Sequence, residues 1–237
     1  APQPETFTTK EGHKGLIITD NALPMATLRF TFPYAGGTSD TKGKEGRAYF
    51  GAAMLSEGAG RYDAKEFNER LESHAIEMNA SVNEDYLSVS ITTLTKHLPE
   101  AIRMAGLMLT LPRLDPPSIE RVRQQLLSEL AQSEQSPGWL AAREYNRQAY
   151  GTHPYGTPLQ GTKETIISIR QQDLEMWRNM TISRENLQIS VVGNITAKTL
   201  SPLLDDAFDK LPNSLEITKP VTAPKVPTGK APVTLEK

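Results

Sequence analysis

The sequence predicts an α+β fold in which helices cover an antiparallel or mixed β-sheet. Three observations favour this class. Several short segments alternate apolar and polar residues as strands do, longer segments place apolar residues at helical spacing, and no glycine signature of a βαβ unit is present. A chain of 237 residues with 38% apolar side chains is long enough and apolar enough to bury a sizeable core.

The strands are predicted by alternation of apolar and polar residues. Residues 15–21 and 25–37 have this pattern, most clearly where Phe30 and Phe32 flank Thr31. Two more alternating segments, 76–82 and 86–94, stand on either side of a turn at Asn83 to Asp85, which indicates a β-hairpin. A last strand is predicted in "NLQISVVG".

Apolar residues at helical spacing, together with capping signals, predict the helices. The first, residues 44–56, is apolar nearly all round, which indicates a buried helix. Asp63, with Glu66 three residues later, has the form of a capping box at the start of the second. Five further helices are expected near residues 97–110, 116–135, 137–150, 171–180 and 197–210.

A change in composition at Pro212 predicts the domain boundary. We expect residues 1–211 to form one folded lobe, and residues 212–237, which are rich in proline, to form a semi-extended linker. The final "PVTLEK" resembles the start of a strand whose partners lie beyond it. We therefore expect the chain to be cut from a longer polypeptide whose second lobe is absent.

The charge and composition exclude several classes of function. With 26 basic and 28 acidic residues the net charge is -2, which favours neither nucleic acid nor an anionic membrane surface. The absence of cysteine excludes disulfides, thiolate nucleophiles and thiolate metal sites. No apolar run approaches the length of a membrane span, so we expect no membrane insertion.

The four histidines do not stand at metal-ligand spacing. We expect His13 and His97 to be solvated, and His74 to end an amphipathic helix. His153, in "GTHPYG", is interpreted as a residue that orders its loop or belongs to a surface that meets a partner or peptide. The sequence also lacks the G-x-S-x-G elbow of serine hydrolases and a phosphate-binding loop.

Four segments, in order along the chain, resemble the N-terminal lobe of the insulinase, pitrilysin and mitochondrial-processing-peptidase family (peptidase family M16), the inverted-motif zinc peptidases. They extend over roughly residues 15–211 and include "GGTSDTKGKEGRAYFGAAMLSEGAGRYDAKEF", "PRLDPPSIERVRQQLLSEL", "YGTHPYGTPLQGTKETIISIRQQDLEMW" and "ENLQISVVGNI". The resemblance implies the LuxS/MPP-like metallohydrolase fold. It also implies a zinc peptidase ancestry.

The chain departs from this family at the residues that hold zinc. In active relatives the helix equivalent to residues 46–55 resembles G-x-A-H-F-x-E-H-M-L. Here Tyr49 stands at the first histidine position, Ala52 at the general-base glutamate position and Ala53 at the second histidine position. The distal glutamate ligand corresponds to Glu129, 76 positions beyond Ala53. One candidate ligand of three remains, which is too few for zinc, and the base is absent.

The resemblance and this departure together imply a non-catalytic subunit. We expect it to pair with a catalytic H-x-x-E-H homologue, or with another copy of itself, around a chamber that holds peptide. Zinc is expected only in the catalytic partner. Relatives of this kind in bacteria are often exported, so the resemblance also implies a periplasmic location. Two alternatives stay open: an active zinc-dependent endopeptidase with an atypical ligand set such as His153 and Glu129, and a purely structural core subunit.

The same family binds substrate backbone along a strand edge. Such β-addition needs free hydrogen-bonding groups at the edge of a sheet. The segments "YAGGTSD" and "MNASVNED" are the ones most similar to that edge, and they place Asn79, Ser81 and Asn83 as polar edge residues. These three, with His153, are the predicted contacts for a peptide or partner; the alternative is an ordinary sheet margin.

Overall fold

The computed structural model describes residues 3–214, in which a mixed six-stranded sheet is packed against helices. The strands are β1 (Glu5–Thr8), β2 (Lys14–Thr19), β3 (Met25–Pro33), β4 (Gly58–Ala59), β5 (Tyr62–Asp63), β6 (Glu77–Val82), β7 (Tyr86–Leu94) and β8 (Gln188–Gly193). The helices are α1 (Arg47–Met54), α2 (Ala64–Ser73), α3 (Leu98–Thr110), α4 (Pro116–Ser133), α5 (Pro137–Tyr150), α6 (Lys163–Ser168), α7 (Gln171–Thr181) and α8 (Ala197–Phe208). None of the helices in residues 3–214 is long and apolar enough to cross a membrane.

The large sheet has the order β1-β2-β8-β3-β7-β6. All neighbours run antiparallel except β2 and β8, which pair in parallel, while β4 and β5 form a separate small ladder. The α+β class with helices on a mixed sheet is therefore confirmed. In this order β6 stands at one edge of the sheet and pairs only with β7 among the described residues.

The alternation along β3 has a simple physical origin. Leu28, Phe30 and Phe32 are fully buried against the helices, whereas Thr27 and Arg29, on the opposite face of the same strand, are exposed. Successive side chains of a strand point to opposite faces, so a sheet with one buried face requires this pattern.

The predicted end of one strand differs from the structure by four residues, and several short elements were not predicted. The strand expected over residues 25–37 ends at Pro33, because Tyr34 has a positive φ of 68° and residues Gly37–Ser39 form a 3-10 turn. Gly36 allows this turn to dock on the β6–β7 hairpin, where a Cβ would lie 2.3 Å from the Asn83 carbonyl oxygen. β1, the β4–β5 pair and α6 are too short to produce a clear period in the sequence.

The expectation that His13 is solvated is wrong. The residue is only 3% exposed, its ring lies edge-on to Phe208 at 5.8 Å between ring centroids, and its Nε2 is 3.9 Å from Asp205 Oδ1. The unpredicted β1–β2 pairing folds the N-terminal segment back on α8, which removes His13 from water. Burial lowers the pKa of His13, so the neutral imidazole is favoured.

His97, also expected to be solvated, is half-buried, and its ring lies 5.3 Å from that of His74. His74 follows the end of α2 as predicted. The predicted linker over residues 212–237 and the strand at "PVTLEK" lie, from residue 215 onward, outside the described residues.

α1 is buried on more than one side, which explains its nearly continuous apolar sequence. Ala48 and Ala52 belong to the main core beneath the sheet, whereas Phe50 and Met54 belong to a second cluster with residues of α4 and α6. Between these sides, Gly51 lies against the indole of Trp177, where a Cβ would stand 2.3 Å from a ring carbon. The Trp177 Nε1–H donates to the carbonyl of Ala35 at 3.1 Å.

Candidate functional site

The candidate site is the groove between α1 and α4. Tyr49 and Ala53 are one helical turn apart on α1 and so lie on the same face. Tyr49 lines a cavity of about 400 Å³ together with Glu129 and Gln160. Ala52 and Ala53 line a second cavity of about 230 Å³. The structure thus brings to one groove the four residues that the resemblance places at the zinc-ligand and base positions, although they are separated by up to 80 positions in sequence.

The donor set in this groove does not fit zinc. Alanine carries no donor, and the pKa of Tyr49 is raised, first by burial and second by the negative charge of Glu129, which keeps the phenol protonated. Within residues 3–214, no group of three or more histidine, cysteine, aspartate or glutamate side chains is arranged to hold a metal ion. Since zinc in peptidases takes about three such ligands, no catalytic step through the metal can be derived for this groove.

Glu129 is exposed at the edge of the larger cavity. Its Oε1 accepts a hydrogen bond of 2.9 Å from Gln125 Nε2, one turn earlier on α4. Within the described part of the chain, Glu129 forms no ion pair. Gln125 lines the smaller cavity, so the hydrogen bond links one residue of each cavity.

The edge strand β6 forms one wall of the smaller cavity. Met78, Asn79 and Ala80 line it opposite Ala52 and Ala53. Met78 and Ala80 are half-buried on the core side, whereas Asn79 and Ser81 are exposed on the other face of the sheet. The structure therefore places Asn79 and Ser81 on an edge strand next to the groove. Their contact with peptide or partner stays a prediction.

Asn83 and His153 lie elsewhere, at the turn end of the β6–β7 hairpin. The Asn83 Oδ1 accepts from the N–H groups of Asp85 and Tyr86, both at 2.9 Å, which closes the turn. His153 Nδ1 accepts from the Tyr155 N–H at 3.2 Å, and the Tyr155 hydroxyl donates to Asp85 at 2.7–2.8 Å. Both residues stabilise local loops, and neither lines the two cavities beside α1.

Residues that anchor the start of α1 were not identified from the sequence. The buried carboxylate of Asp40 accepts from the backbone N–H of Gly46 at 2.8 Å and of Ala48 at 2.9 Å, which caps the helix. Arg47 Nε lies 3.7 Å from Asp40, and its Nη2 donates to the Ser39 carbonyl at 2.6 Å. Burial raises the pKa of Asp40 to about 7. An aspartate seven residues before the first residue of the helix is too distant to be recognised as a sequence cap.

Comparison with known proteins agrees with this geometry. The sequence profile described as Insulinase (Peptidase family M16) matches residues 21–163, which is more than half of the chain. The chain belongs to the insulinase family, peptidase family M16. Family membership and the mixed sheet with its helices confirm the resemblance and the fold class predicted from the sequence.

Two curated relatives illustrate the range of this family. The chain is 26% identical over 201 residues to "Non-peptidase homolog YmxG" of Helicobacter pylori, which covers 85% of this chain and 46% of that protein. It is 24% identical over 217 residues to the probable mitochondrial-processing peptidase subunit beta of Schizosaccharomyces pombe, with 91% of this chain and 47% of that protein covered. The chain thus spans about half the length of the curated relatives it matches.

Among solved structures, the chain is similar to the peptidase M16 inactive domain from Pseudomonas fluorescens. The two share 25% identity with a TM-score of 0.87, over 94% of this chain and 54% of that one. A TM-score this high means that the matched part of that structure has the arrangement of strands and helices described above.

Proposed function

We propose that this insulinase-family lobe is non-catalytic, and that it binds peptide and forms a chamber together with a catalytic homologue carrying H-x-x-E-H. The observation that carries the proposal is the composition of the α1–α4 groove. The helix is in place, but the positions of two zinc ligands and of the base are occupied by Tyr49, Ala53 and Ala52. Zinc is expected in the partner only.

The chemistry of peptide hydrolysis supports this reading. A zinc peptidase uses the metal to lower the pKa of bound water and a carboxylate base to take its proton. Alanine at position 52 can accept no proton, and a protonated phenol at position 49 is a poor metal ligand. The names of two similar proteins, a non-peptidase homologue and an inactive domain, agree with such a role.

A role in holding peptide is supported by the position of β6. As an edge strand it offers backbone N–H and C=O groups to an added strand, a mode of recognition that depends little on peptide sequence. The adjoining cavity of about 230 Å³ offers space for a side chain of that peptide. Asn79 and Ser81 are the proposed polar residues along this edge.

Mixing this chain with a purified H-x-x-E-H homologue from the same organism tests the proposal. Cleavage of a fluorogenic peptide is measured for each protein alone and for the mixture, with and without a chelator, and size-exclusion chromatography measures the complex. We expect no chelator-sensitive cleavage by this chain alone and an increase in the partner's rate on mixing. An equal amount of serum albumin is the control.

Other outcomes identify the alternatives. Stoichiometric zinc and chelator-sensitive cleavage by this chain alone would show an active endopeptidase with an atypical ligand set. A stable complex without any gain in rate would favour a structural core subunit, and self-association alone would favour a homo-oligomer. Export to the periplasm is part of the same proposal, and cell fractionation measures it.

A further inference from the structure

The turn between β1 and β2 carries a histidine that is buried against α8. The ring of His13 lies edge-on to that of Phe208, with the ring centroids 5.8 Å apart. Both of its ring nitrogens are buried, and neither forms a hydrogen bond with another residue among 3–214. Phe208 in turn lies edge-on to Phe30, a core residue of β3, at 5.0 Å between centroids. The His13 ring therefore connects the turn to the main core.

The charged groups that act on His13 come from α8, from the segment before β8 and from the turn itself. They are Asp205, Arg184 and Glu11, respectively. Asp205 Oδ1 lies 3.9 Å from His13 Nε2, which is too long for a hydrogen bond. This oxygen is itself buried and has no hydrogen-bond partner among the described residues. Arg184 has the same sign of charge as a protonated imidazole and opposes its formation.

A second proton on this imidazole would place an unsatisfied charge in the interface with α8. In an imidazolium both nitrogens are donors, and the described residues offer neither of them an acceptor within hydrogen-bond distance. Removing a charge from water is costly unless the charge is both paired and hydrogen-bonded. Burial accordingly outweighs the attraction of Asp205 and Glu11, and lowers the pKa of His13 below its ordinary value of 6.5.

Hydrogen bonds within the turn couple the position of His13 to that of β1. The Thr9 N–H donates to the His13 carbonyl at 2.8 Å, and the His13 N–H donates to the Thr9 Oγ1 at 3.1 Å. The Gly12 N–H donates to the Thr9 carbonyl at 3.1 Å. β1 has four residues and pairs only with β2 among the described strands. Since a short edge strand opens more easily than a central one, movement of His13 away from α8 would carry β1 with it.

We propose that residues 5–13, which are β1 and the turn after it, form an acid-sensitive latch that docks on α8 while His13 is neutral and is released when His13 is protonated. A group whose pKa is lowered in the folded state contributes stability that is fully present above its unfolded value, here 6.5. That stability is lost as the pH falls through the pKa of the docked ring. Release would uncover the backbone edge of β2 and the ring of Phe208. The inference does not depend on the proposed function.

Amide hydrogen exchange of this chain, followed by NMR between about pH 5 and pH 8, tests the proposal. The amides of Thr9, Gly12 and His13 report on the latch, and those of β3, inside the sheet, report on global unfolding. After correction for intrinsic exchange, protection of the latch amides should fall by up to about tenfold for each pH unit below 6.5, because release takes up one proton. Protection of β3 should not fall in parallel.

Three variants assign the effect to His13. His13→Phe keeps an aromatic ring against Phe208 but cannot take up a proton, so the pH dependence of latch protection should disappear. Asp205→Asn removes the nearest carboxylate that favours the charged ring, and should make the loss of protection at low pH larger. His74→Gln, the matched control, removes a half-buried histidine near β6, at the opposite edge of the sheet, and should leave the latch unchanged.

A direct titration of His13 in the wild type keeps the test decisive even if His13→Phe does not fold. The pH dependence of its Cε1–H signal should give a pKa below 6.5. A value at or above 6.5, with protection that rises as the pH falls, would show that Asp205 binds the charged ring in place, and would overturn the proposal. Loss of latch protection in parallel with β3, or a pH dependence that persists in His13→Phe, would overturn it as well.

Discussion

The two sides of α1 differ in how tightly they are packed. On the inner side Phe50 and Met54 are fully buried, and Gly51 is in direct contact with the indole of Trp177. On the outer side Tyr49 and Ala53 are only half-buried and line open cavities. The eight-residue helix α1 is therefore closely packed on its inner side, whereas its outer side can accommodate larger side chains.

This difference identifies the contacts that hold α1 in place. The forces that position α1 are the apolar packing of its inner side and the cap that Asp40 provides at its start. Tyr49 and Ala53, at the positions that correspond to zinc ligands in active relatives, pack only as half-buried side chains at the margin of this cluster. We therefore expect the residue types at positions 49 and 53 to affect the chemistry of the outer side more than the position of the helix.

The largest expected effect is the return of metal binding to the outer side. The triple variant Tyr49→His, Ala52→Glu, Ala53→His restores two imidazoles and a base beside Glu129. We expect zinc to bind with a dissociation constant of micromolar or tighter, which is about 8 kcal/mol or more of binding free energy. Isothermal titration calorimetry of the apo protein with zinc chloride measures it, with the wild type as reference.

A fourth substitution provides the control for this experiment. Adding Glu129→Ala to the triple variant should weaken zinc binding by more than about tenfold, since even outer-shell partners of metal ligands contribute that much. If the folded triple variant binds zinc no better than the wild type, α1 and α4 do not hold these positions as in an active site, and the comparison of the two sides loses its basis.

A smaller effect, on the free energy of unfolding, is expected when a valine is placed on each side of α1. Gly51→Val forces methyl groups into the Trp177 ring and should lower the free energy of unfolding by about 2–3 kcal/mol. Ala53→Val extends into a cavity, so its cost should be limited to the helix propensity of valine, about 0.5 kcal/mol. Urea unfolding followed by tryptophan fluorescence compares them. Equal losses would show that the outer side is packed as tightly as the inner one.

The last prediction concerns the contribution to stability of Asp40, which caps the start of α1, and how this contribution depends on pH. Burial raises the pKa of Asp40 from 3.8 to about 7, so the folded state binds more protons than the unfolded state between these values. The contribution of Asp40 to stability is therefore fully present below pH 3.8 and is lost as the pH rises through about 7. At pH 5 each oxygen of the protonated carboxyl group still has a lone pair for an N–H, whereas the amide nitrogen of Asp40→Asn has none, so this substitution should cost about 1–3 kcal/mol at pH 5 and less at pH 8.

Asp173 provides a control of opposite sign. Although its burial acts to raise the pKa, hydrogen bonds from the Lys44 ammonium and the Arg170 N–H hold it below the ordinary value. Its contribution is present above that value and is lost as the pH falls through the lowered pKa. The cost of Asp173→Asn, from urea unfolding at several pH values, should therefore grow as the pH rises from 3 to 5. A parallel trend for both variants would contradict the assignment for Asp40.

Patterns of short range in the sequence were enough to predict most of the fold. The alternation around Phe30, the capping box of Asp63 and Glu66, and the turn at Asn83 each depend on neighbours within a few residues, and each is confirmed. The same reasoning was wrong for His13, because its burial depends on α8, nearly two hundred residues later in the chain. It also did not identify Asp40, whose cap is formed across a loop.

For the candidate site, the sequence by itself determined which chemical groups are present: two alanines and a tyrosine cannot replace two imidazoles and a carboxylate, wherever the chain places them. Only the tertiary structure decided what those residues form. The packing of α1 between α4 and β6 leaves two cavities along the helix and, within residues 3–214, leaves the Glu129 carboxylate without an ion-pair partner. Donor chemistry belongs to single side chains, whereas cavities and unpaired charges arise from contacts between segments far apart in sequence.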